Sequence, residues 1–279
     1  MNILFWNTDI PEKGDAKSDT IDSCLLNLVI ENTVDLLILS EYGNSIEQLC
    51  RVVSNLSGRQ YVPLPNYSGS NKIKGMINGK YNIQPLKDSS RYQIVKISTV
   101  YYELIVAMIH SDSKMFARNN RQEEILRWFN RDIIFEQEAH KCNNVIAIGD
   151  FNVNPFEDAC LDAGVMFAVP FLEDAISKPR EMDGRVYPKF YNPTWRFFGN
   201  TAIPYTTYYY SDSGDMANCY WNAIDQVMIR PALVKAFAED KMRIISITAN
   251  HQMLRNGRPD KKMYSDHLLL FCVLKEELI

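Results

Sequence analysis

A chain of 279 residues with 46% hydrophobic content can bury a large core, and its length fits either one big α/β domain or two smaller ones. A formal charge of -4 and a pI near 5.7 exclude a protein that holds nucleic acid by a broad basic surface, although a local basic groove stays open. No stretch reaches the roughly 18 apolar residues of a membrane span, and no cationic N-terminal region leads into a long apolar one, which argues against membrane insertion and secretion.

Cys24, Cys50, Cys142, Cys160, Cys219 and Cys272 lie far apart, with neither zinc-type pairing nor the spacing of a small disulfide scaffold. Reduced, packed thiols in a cytoplasmic protein are the expectation. No segment rich in Gly, Ser or Pro divides the chain, and neither repeats nor low-complexity windows occur, so a single domain over residues 1–279 is expected.

In chain order, the first apolar run is Ile3-Leu4-Phe5-Trp6, a strand pattern that ends at Asn7. Residues from about Asp19 to Asn32 then place Ile21, Leu25, Leu28 and Val29 on one helical face. A second strand, Val34 to Leu39, leads into Ser40-Glu41. The next helix, Asn44 through Leu56, opens with Asn44 and Glu47 in capping-box spacing and stops at Gly58. Ile105 to Ile109 reads as a strand ending at His110, and Arg118 to about His140 as a long charged helix with Ile125, Leu126, Phe129, Ile133 and Ile134 inward.

Val145-Ile146-Ala147-Ile148 runs straight into Gly149-Asp150-Phe151-Asn152, which places a carboxylate and a carboxamide where a buried strand surfaces. Asp and Asn are also common turn formers and caps. Here Asn154-Pro155-Phe156-Glu157 already supplies a cap, a Pro at the first helical position and a Glu three residues on. Asp150 is therefore spare as a cap, although a turn role remains open. Further on, alternation in Ile224-Asp225-Gln226-Val227-Met228-Ile229 turns Asp225 inward with Val227 and Ile229. A buried carboxylate needs a partner. His267 in Ser265-Asp266-His267, at the head of the apolar run Leu268 to Leu274, is the candidate.

Several strands thus end in polar groups, and loops at one end of a central sheet converge on a site in α/β proteins. A lone His or Glu at a strand end is more often solvated, as expected for His140 and His251; here the repetition carries the weight.

Taken in order, Trp6-Asn7, Ser40-Glu41, His110, Gly149-Asp150-Phe151-Asn152, Ile224-Asp225 and Ser265-Asp266-His267 resemble the endonuclease/exonuclease/phosphatase superfamily of metal-dependent phosphoesterases, from the first strand to the last. The resemblance implies a four-layer α/β sandwich, two mixed β-sheets packed face to face with helices outside and a site at one edge of both. Ser40 stands where the family usually has Gln, and Ala223 and Gln226 where it often has Arg and Tyr. These departures remove no core catalytic group; they bear on the subfamily and so on the substrate.

The resemblance implies Glu41 as the first metal ligand, with Asn7 and Asp266 holding the metal or its waters. Hard oxygen ligands suit Mg²⁺, with Mn²⁺ as the other candidate. It implies Asp150 as the group that orients or deprotonates the attacking water, Asn152 as an amide on water and phosphate, His267 charged by Asp225 and donating to a phosphate oxygen, and His110 on the phosphate or leaving group. Which of Asp150 and the Asp225/His267 pair is the base stays open.

The segment Tyr187 to Trp221 is rich in aromatics, and Pro193-Thr194-Trp195-Arg196 resembles the Thr-Trp loop of family nucleases. Trp195 on a base and Arg196 on a phosphate are expected substrate contacts, weighed equally against a loop that packs on itself. Arg118, with Lys72, Lys74, Lys114 and Arg121, is a further candidate phosphate contact.

The expected activity is a Mg²⁺-dependent phosphodiesterase, a nuclease with nucleic acid as its partner substrate. The alternatives are a phosphatase or phosphodiesterase for an inositol phosphate, sphingomyelin or nucleotide, and an inactive binding relative.

Overall fold

The computed structural model describes residues 1–12, 14–67, 72–113, 121–211 and 218–279. Chain order begins with β1 (Asn2–Ile10), α1 (Ser18–Glu31), β2 (Leu36–Tyr42), α2 (Ile46–Ser57), β3 (Tyr61–Pro63), β4 (Ile73–Asn78), β5 (Asn82–Asp88), β6 (Tyr92–Ser98) and β7 (Glu103–His110). It continues with α3 (Arg121–His140), β8 (Val145–Asp150), α4 (Asp158–Leu161), β9 (Ala168–Val169), α5 (Leu172–Ile176), β10 (Arg180–Met182), β11 (Arg185–Tyr187) and β12 (Phe190–Tyr191). The last strands are β13 (Tyr208–Tyr209), β14 (Trp221–Asn222), β15 (Asp225–Ile229), β16 (Arg243–Ile245), β17 (Leu254–Arg255), β18 (Arg258–Pro259) and β19 (Leu269–Val273).

Two mixed sheets dominate, with strand orders β16-β19-β1-β2-β4-β3 and β5-β6-β7-β8-β15-β12-β9. Their continuous apolar runs follow from burial on both faces. Ile3, Phe5, Leu36 and Ile38 of one sheet meet Val106, Met108, Ile146, Ile148, Val227 and Ile229 of the other in a shared core. The alternate residues Leu4, Trp6, Leu37 and Leu39 pack beneath Ile21, Leu25 and Leu28 of α1 and Leu49 and Val53 of α2. Ile105, Ala107, Val145 and Ala147 do the same under Ile125, Leu126, Phe129 and Ile133 of α3. The result is helix, sheet, sheet, helix: the four-layer α/β sandwich.

Two helix starts differ from expectation. Ser45, not Asn44, caps α2: Gln48 N donates to Ser45 Oγ at 3.1 Å, while Asn44 Nδ2 is drawn to Asp22 Oδ2 on α1 at 3.0 Å. Asn154 begins a turn, not a helix. Its backbone N donates to Glu157 Oε1 at 2.7 Å, as the spacing anticipates, but its side-chain oxygen accepts from Ala223 N at 2.9 Å and ties the loop to β15. Helix α4 follows only from Asp158. Five of the cysteines are buried and Cys219 is exposed, all of them free thiols. Among the described residues no helix is long and apolar enough to cross a membrane.

Parallel pairing of β1 with β2 and of β7 with β8, and antiparallel pairing of β8 with β15, bring five chain segments to one edge of the sandwich. Gly149 permits the closest approach there. At φ +151, a Cβ on it would overlap the Ile109 carbonyl oxygen and sit 2.8 Å from the Ile109 nitrogen. Gly149→Ala should therefore destabilise the fold by about 3 kcal/mol or more, read as a lowered urea midpoint. An unchanged midpoint would show that the β7/β8 approach tolerates a side chain.

Candidate active site

Asp150 closes β8, level with His110 on β7 and Asp225 on β15. From the other sheet, Asn7 stands beside Ser40 just before the irregularity in the β1/β2 pair; the strand does not end at Asn7 as expected but resumes pairing at Ile10 with Tyr42. Asn7 Nδ2 donates to Asp150 Oδ2 at 3.1 Å and so joins the two sheets through their polar ends. The segment before β19 is pinned to the same place: Ser265 Oγ donates to the Asn7 carbonyl at 2.6 Å and accepts from His267 N at 3.0 Å, and Trp6 Nε1 donates to the His267 carbonyl at 2.9 Å.

His267 Nδ1 lies 2.9 Å and 3.1 Å from the two carboxylate oxygens of Asp225. Both residues are buried, as is Asp150. Burial opposes charge on His267, but Asp225, helped by Asp150 and Asp266, outweighs it and lifts the imidazole to about 10. Asp150 is raised to about 7, by burial first and Asp225 second, against the pull of His267 and the Asn7 amide. His110 goes the other way. Burial, then Lys72, His267 and Arg91, hold it down to about 3, so it is neutral at neutral pH. Its Nε2 sits 3.5 Å from Glu41 Oε1 and 3.8 Å from Asp150 Oδ2, contacts that are polar and not ionic.

Glu41 takes a left-handed conformation at φ 49, as do Asp9 at φ 52 and Asn152 at φ 54. Such conformations cost about 1–3 kcal/mol each and cluster where a side chain must be aimed. Asn152 N donates to Asp150 Oδ1 at 2.9 Å, so Asp150 does serve its own turn. Asn152 Nδ2 donates one hydrogen to the Ser111 carbonyl at 3.0 Å, and among the described residues the second hydrogen and the amide oxygen have no further partner. Asp266 Oδ2 accepts from Lys261 Nζ at 2.9 Å, and Oδ1 is 3.9 Å from His267 Nε2. Burial raises the Asp266 carboxyl, but His267 and Lys261 together take it below its ordinary value. Lys72 Nζ lies 3.7 Å from Glu41 Oε1.

The structure thus assembles Asn7, Glu41, His110, Asp150, Asn152, Asp225, Asp266 and His267. One donor atom each from Asp150, Asp225 and His267 lie within 4.8 Å of one another, a set that could hold a divalent cation. A protonated His267 that donates to Asp225 is a poor ligand, however, because ligation needs the neutral ring. By donor type the oxygens of Glu41, Asp266 and Asn7 suit a hard cation better, but among the described residues Glu41 and Asp266 do not join a cluster that tight.

Arg196 is not part of this assembly. Its guanidinium donates to the Glu239 carbonyl, beside the Tyr191 hydroxyl, which donates to Glu239 Oε2 at 2.8 Å. Thr194 fixes that loop, accepting at Oγ1 from Val227 N at 3.0 Å. Trp195 packs on Phe198, at 6.1 Å between ring centroids, and Phe198 on Phe156 at 5.7 Å, so this loop packs largely on its neighbours. Arg118 and Lys114 lie outside the described residues. Arg121 pairs with Asp112 at 3.6 Å, and Lys74 donates to the Asn44 carbonyl at 3.0 Å. Sequence reasoning missed Tyr208 as a neighbour of His267, with ring centroids 4.6 Å apart across an isolated bridge. Nothing local marks it out among so many aromatics.

In metal-free protein, Asp225→Asn should lower the pH at which His267 titrates, from about 10 toward or below its ordinary 6.5, followed by NMR of the ring protons. The native pair adds stability that is full below pH 6.5 and is lost as pH rises through about 10, a loss the variant should not show. An unmoved midpoint would mean that Asp225 does not hold the proton on His267.

No protein-family model and no curated protein sequence matches the chain. Solved structures do match. Truncated TDP2 from Caenorhabditis elegans superposes with a TM-score of 0.58 at 14% identity, covering 98% of this chain and 96% of that one. The 3' phosphatase NExo from Neisseria, bound to a product DNA hairpin, gives 0.54 at 15% identity, covering 98% and 99%. An endonuclease/exonuclease/phosphatase family protein from Leptotrichia buccalis gives 0.54 at 12% identity, again covering 98% and 99%. At these identities the likeness is one of fold, and it extends over nearly the whole chain: this protein has the endonuclease/exonuclease/phosphatase fold.

Proposed function

We propose that the chain is a divalent-cation-dependent phosphodiesterase, and specifically a nuclease that hydrolyses DNA or RNA. The observation that carries this reading is the convergence at one edge of Asn7, Glu41, His110, Asp150 and the Asp225–His267 pair, 2.9 Å apart, with burial and neighbouring charges raising His267 and Asp150 and lowering His110. A carboxylate with a value near the working pH is suited to accept a proton. In the proposed reaction a water oxygen bonds to phosphorus as the bond to the leaving ester oxygen breaks, the water proton passes to Asp150, and the leaving oxygen takes a proton from solvent to depart as an alcohol. His267 Nε2–H donates to a non-bridging phosphate oxygen, where negative charge must be stabilised. The free amide groups of Asn152 orient water and phosphate, and His110 presents its Nε2 from the Glu41 side.

Glu41, Asn7 and Asp266 would hold Mg²⁺ or Mn²⁺, which supplies positive charge to the phosphoryl oxygens and acidity to a bound water. Support for nucleic acid comes from structural relatives: TDP2 from D. rerio is complexed with a single-strand DNA product and NExo is bound to a product DNA hairpin. The net charge of -4 favours the rival reading, a small or lipid phosphoester.

A substrate panel with Mg²⁺, Mn²⁺ or EDTA separates these: single- and double-stranded DNA, RNA, abasic duplex, inositol phosphates, sphingomyelin and a generic diester. Metal-dependent cleavage of nucleic acid is the expected result. Cleavage of the small esters alone would select the rival, and inactivity throughout would indicate a binding relative. Asp150→Asn and His267→Ala should each cut turnover roughly a thousandfold with an unchanged circular dichroism spectrum. Near-normal turnover in Asp150→Asn would sink the mechanism.

A further inference from the structure

The β17/β18 hairpin and the turn after it carry Arg255, Arg258, Lys261 and Lys262 against the single carboxylate of Asp260. All four cations are exposed, and with Asn256 and Pro259 they line an open cleft of about 520 Å³. This is a local reversal of sign in a chain whose net charge is -4. The hairpin is firmly seated. Met253 before it is buried in the core beside α1, its carbonyl accepts from Asp260 N at 2.8 Å, and the Arg258 guanidinium lies 4.5 Å over the Tyr209 ring. At its tip Gly257, at φ +73, approaches Ile203 so closely that a Cβ would lie 3.2 Å from the Ile203 Cδ1. The cleft also borders the candidate active site, since Lys261 bonds Asp266, the residue before His267.

We propose that this cleft binds the sugar-phosphate backbone of a nucleic-acid strand flanking the phosphodiester at His267, so that the substrate is an oligonucleotide or polynucleotide. The inference rests on the phosphodiesterase reading. A small phosphoester carries its charge only at the reacting phosphorus, whereas a strand repeats one charge per nucleotide and matches a row of cations. Tyr220, 53% exposed, stacks on the same Tyr209 at 6.3 Å between centroids and offers an aromatic face to an unpaired base.

The test is fluorescence anisotropy of the full chain with labelled single strands of roughly 12 nucleotides, DNA and RNA, in EDTA between about 50 and 200 mM salt. The double variant Arg255→Glu/Lys262→Glu should bind both strands roughly tenfold more weakly, with the slope of log K against log salt shallower by about 0.7 for each cation removed. Tyr220→Ala should weaken binding of a base-bearing strand by about tenfold and leave an abasic strand unaffected. Equal affinity of the native chain and the double variant overturns the proposal. So does loss of binding to phosphatidylserine vesicles in the double variant with strand binding intact, which would assign the cleft to a membrane surface. Circular dichroism confirms folding, and all substitutions lie on exposed side chains. Since binding is read without turnover, a chain that fails the substrate panel yet holds strands through this cleft loses the phosphodiesterase reading alone. A chain that cleaves strands but binds them equally well without the cations loses only the cleft.

Discussion

The pairing of one buried imidazole with Asp225, beside a second buried carboxylate, is the constraint on which the rest of this structure depends. Removing an ion from water costs several kcal/mol, and only close, well-directed partners offset it. Asp225 has such a partner, with both oxygens within 3.1 Å of His267 Nδ1. Asp150 accepts from the Asn7 amide and the Asn152 backbone N–H, with His110 Nε2 3.8 Å away, and it feels Asp225 as a like charge. The two acids, level with each other across adjacent strands, therefore differ in environment: one lies in close contact with histidine, and the other is raised toward neutrality.

That arrangement requires both sheets to end at the same place. The polar ends of β1, β2, β7 and β8 emerge together because each pair is parallel and in register, Asn7 with Ser40 and His110 with Asp150. Buried apolar faces on either side hold those strands rigidly, and the strain is confined to the last residues. Left-handed Glu41 and Asn152 are conformations that a loop in water would relax; here Thr8 Oγ1 holds the Glu41 carbonyl at 2.8 Å, and Gln122 Nε2 holds the Asn152 carbonyl at 3.0 Å. The edge is aimed by the core behind it.

The same physics explains what could be read from the sequence. Strands buried on both faces appear as unbroken apolar runs, so β1, β2, β7, β8, β15 and β19 were legible along with the polar residue at the edge of each. β5 was not, because it lies at a sheet edge with mixed exposure and a Pro85 at its centre. Helix starts depended on partners distant in sequence: Asp22 claims Asn44, and Ala223 claims Asn154, which moves each cap. The aromatic segment was least legible. A Thr-Trp spacing identifies a loop, but only tertiary contacts decide that Arg196 serves Glu239, that Trp195 packs on Phe198 and that Tyr208 lies against His267.

Net charge also proves a weak guide to what an anion meets at the mouth of the site. Three carboxylates there, Asp9, Glu41 and Asp266, each face an ammonium, from Lys17 at 2.9 Å, Lys72 at 3.7 Å and Lys261 at 2.9 Å. The carboxylates are partly buried, while Lys72 and Lys261 reach them from exposed positions and can exchange partners at small cost. A cation bound to the carboxylates would release the ammonium groups, and an arriving phosphate would take them up. On the proposed reading the local field would turn more positive as cations replace lysines on the acids. Charge counted over the whole chain misses this because most of its acids lie elsewhere, on α3 and other faces that no phosphoester at His267 would touch.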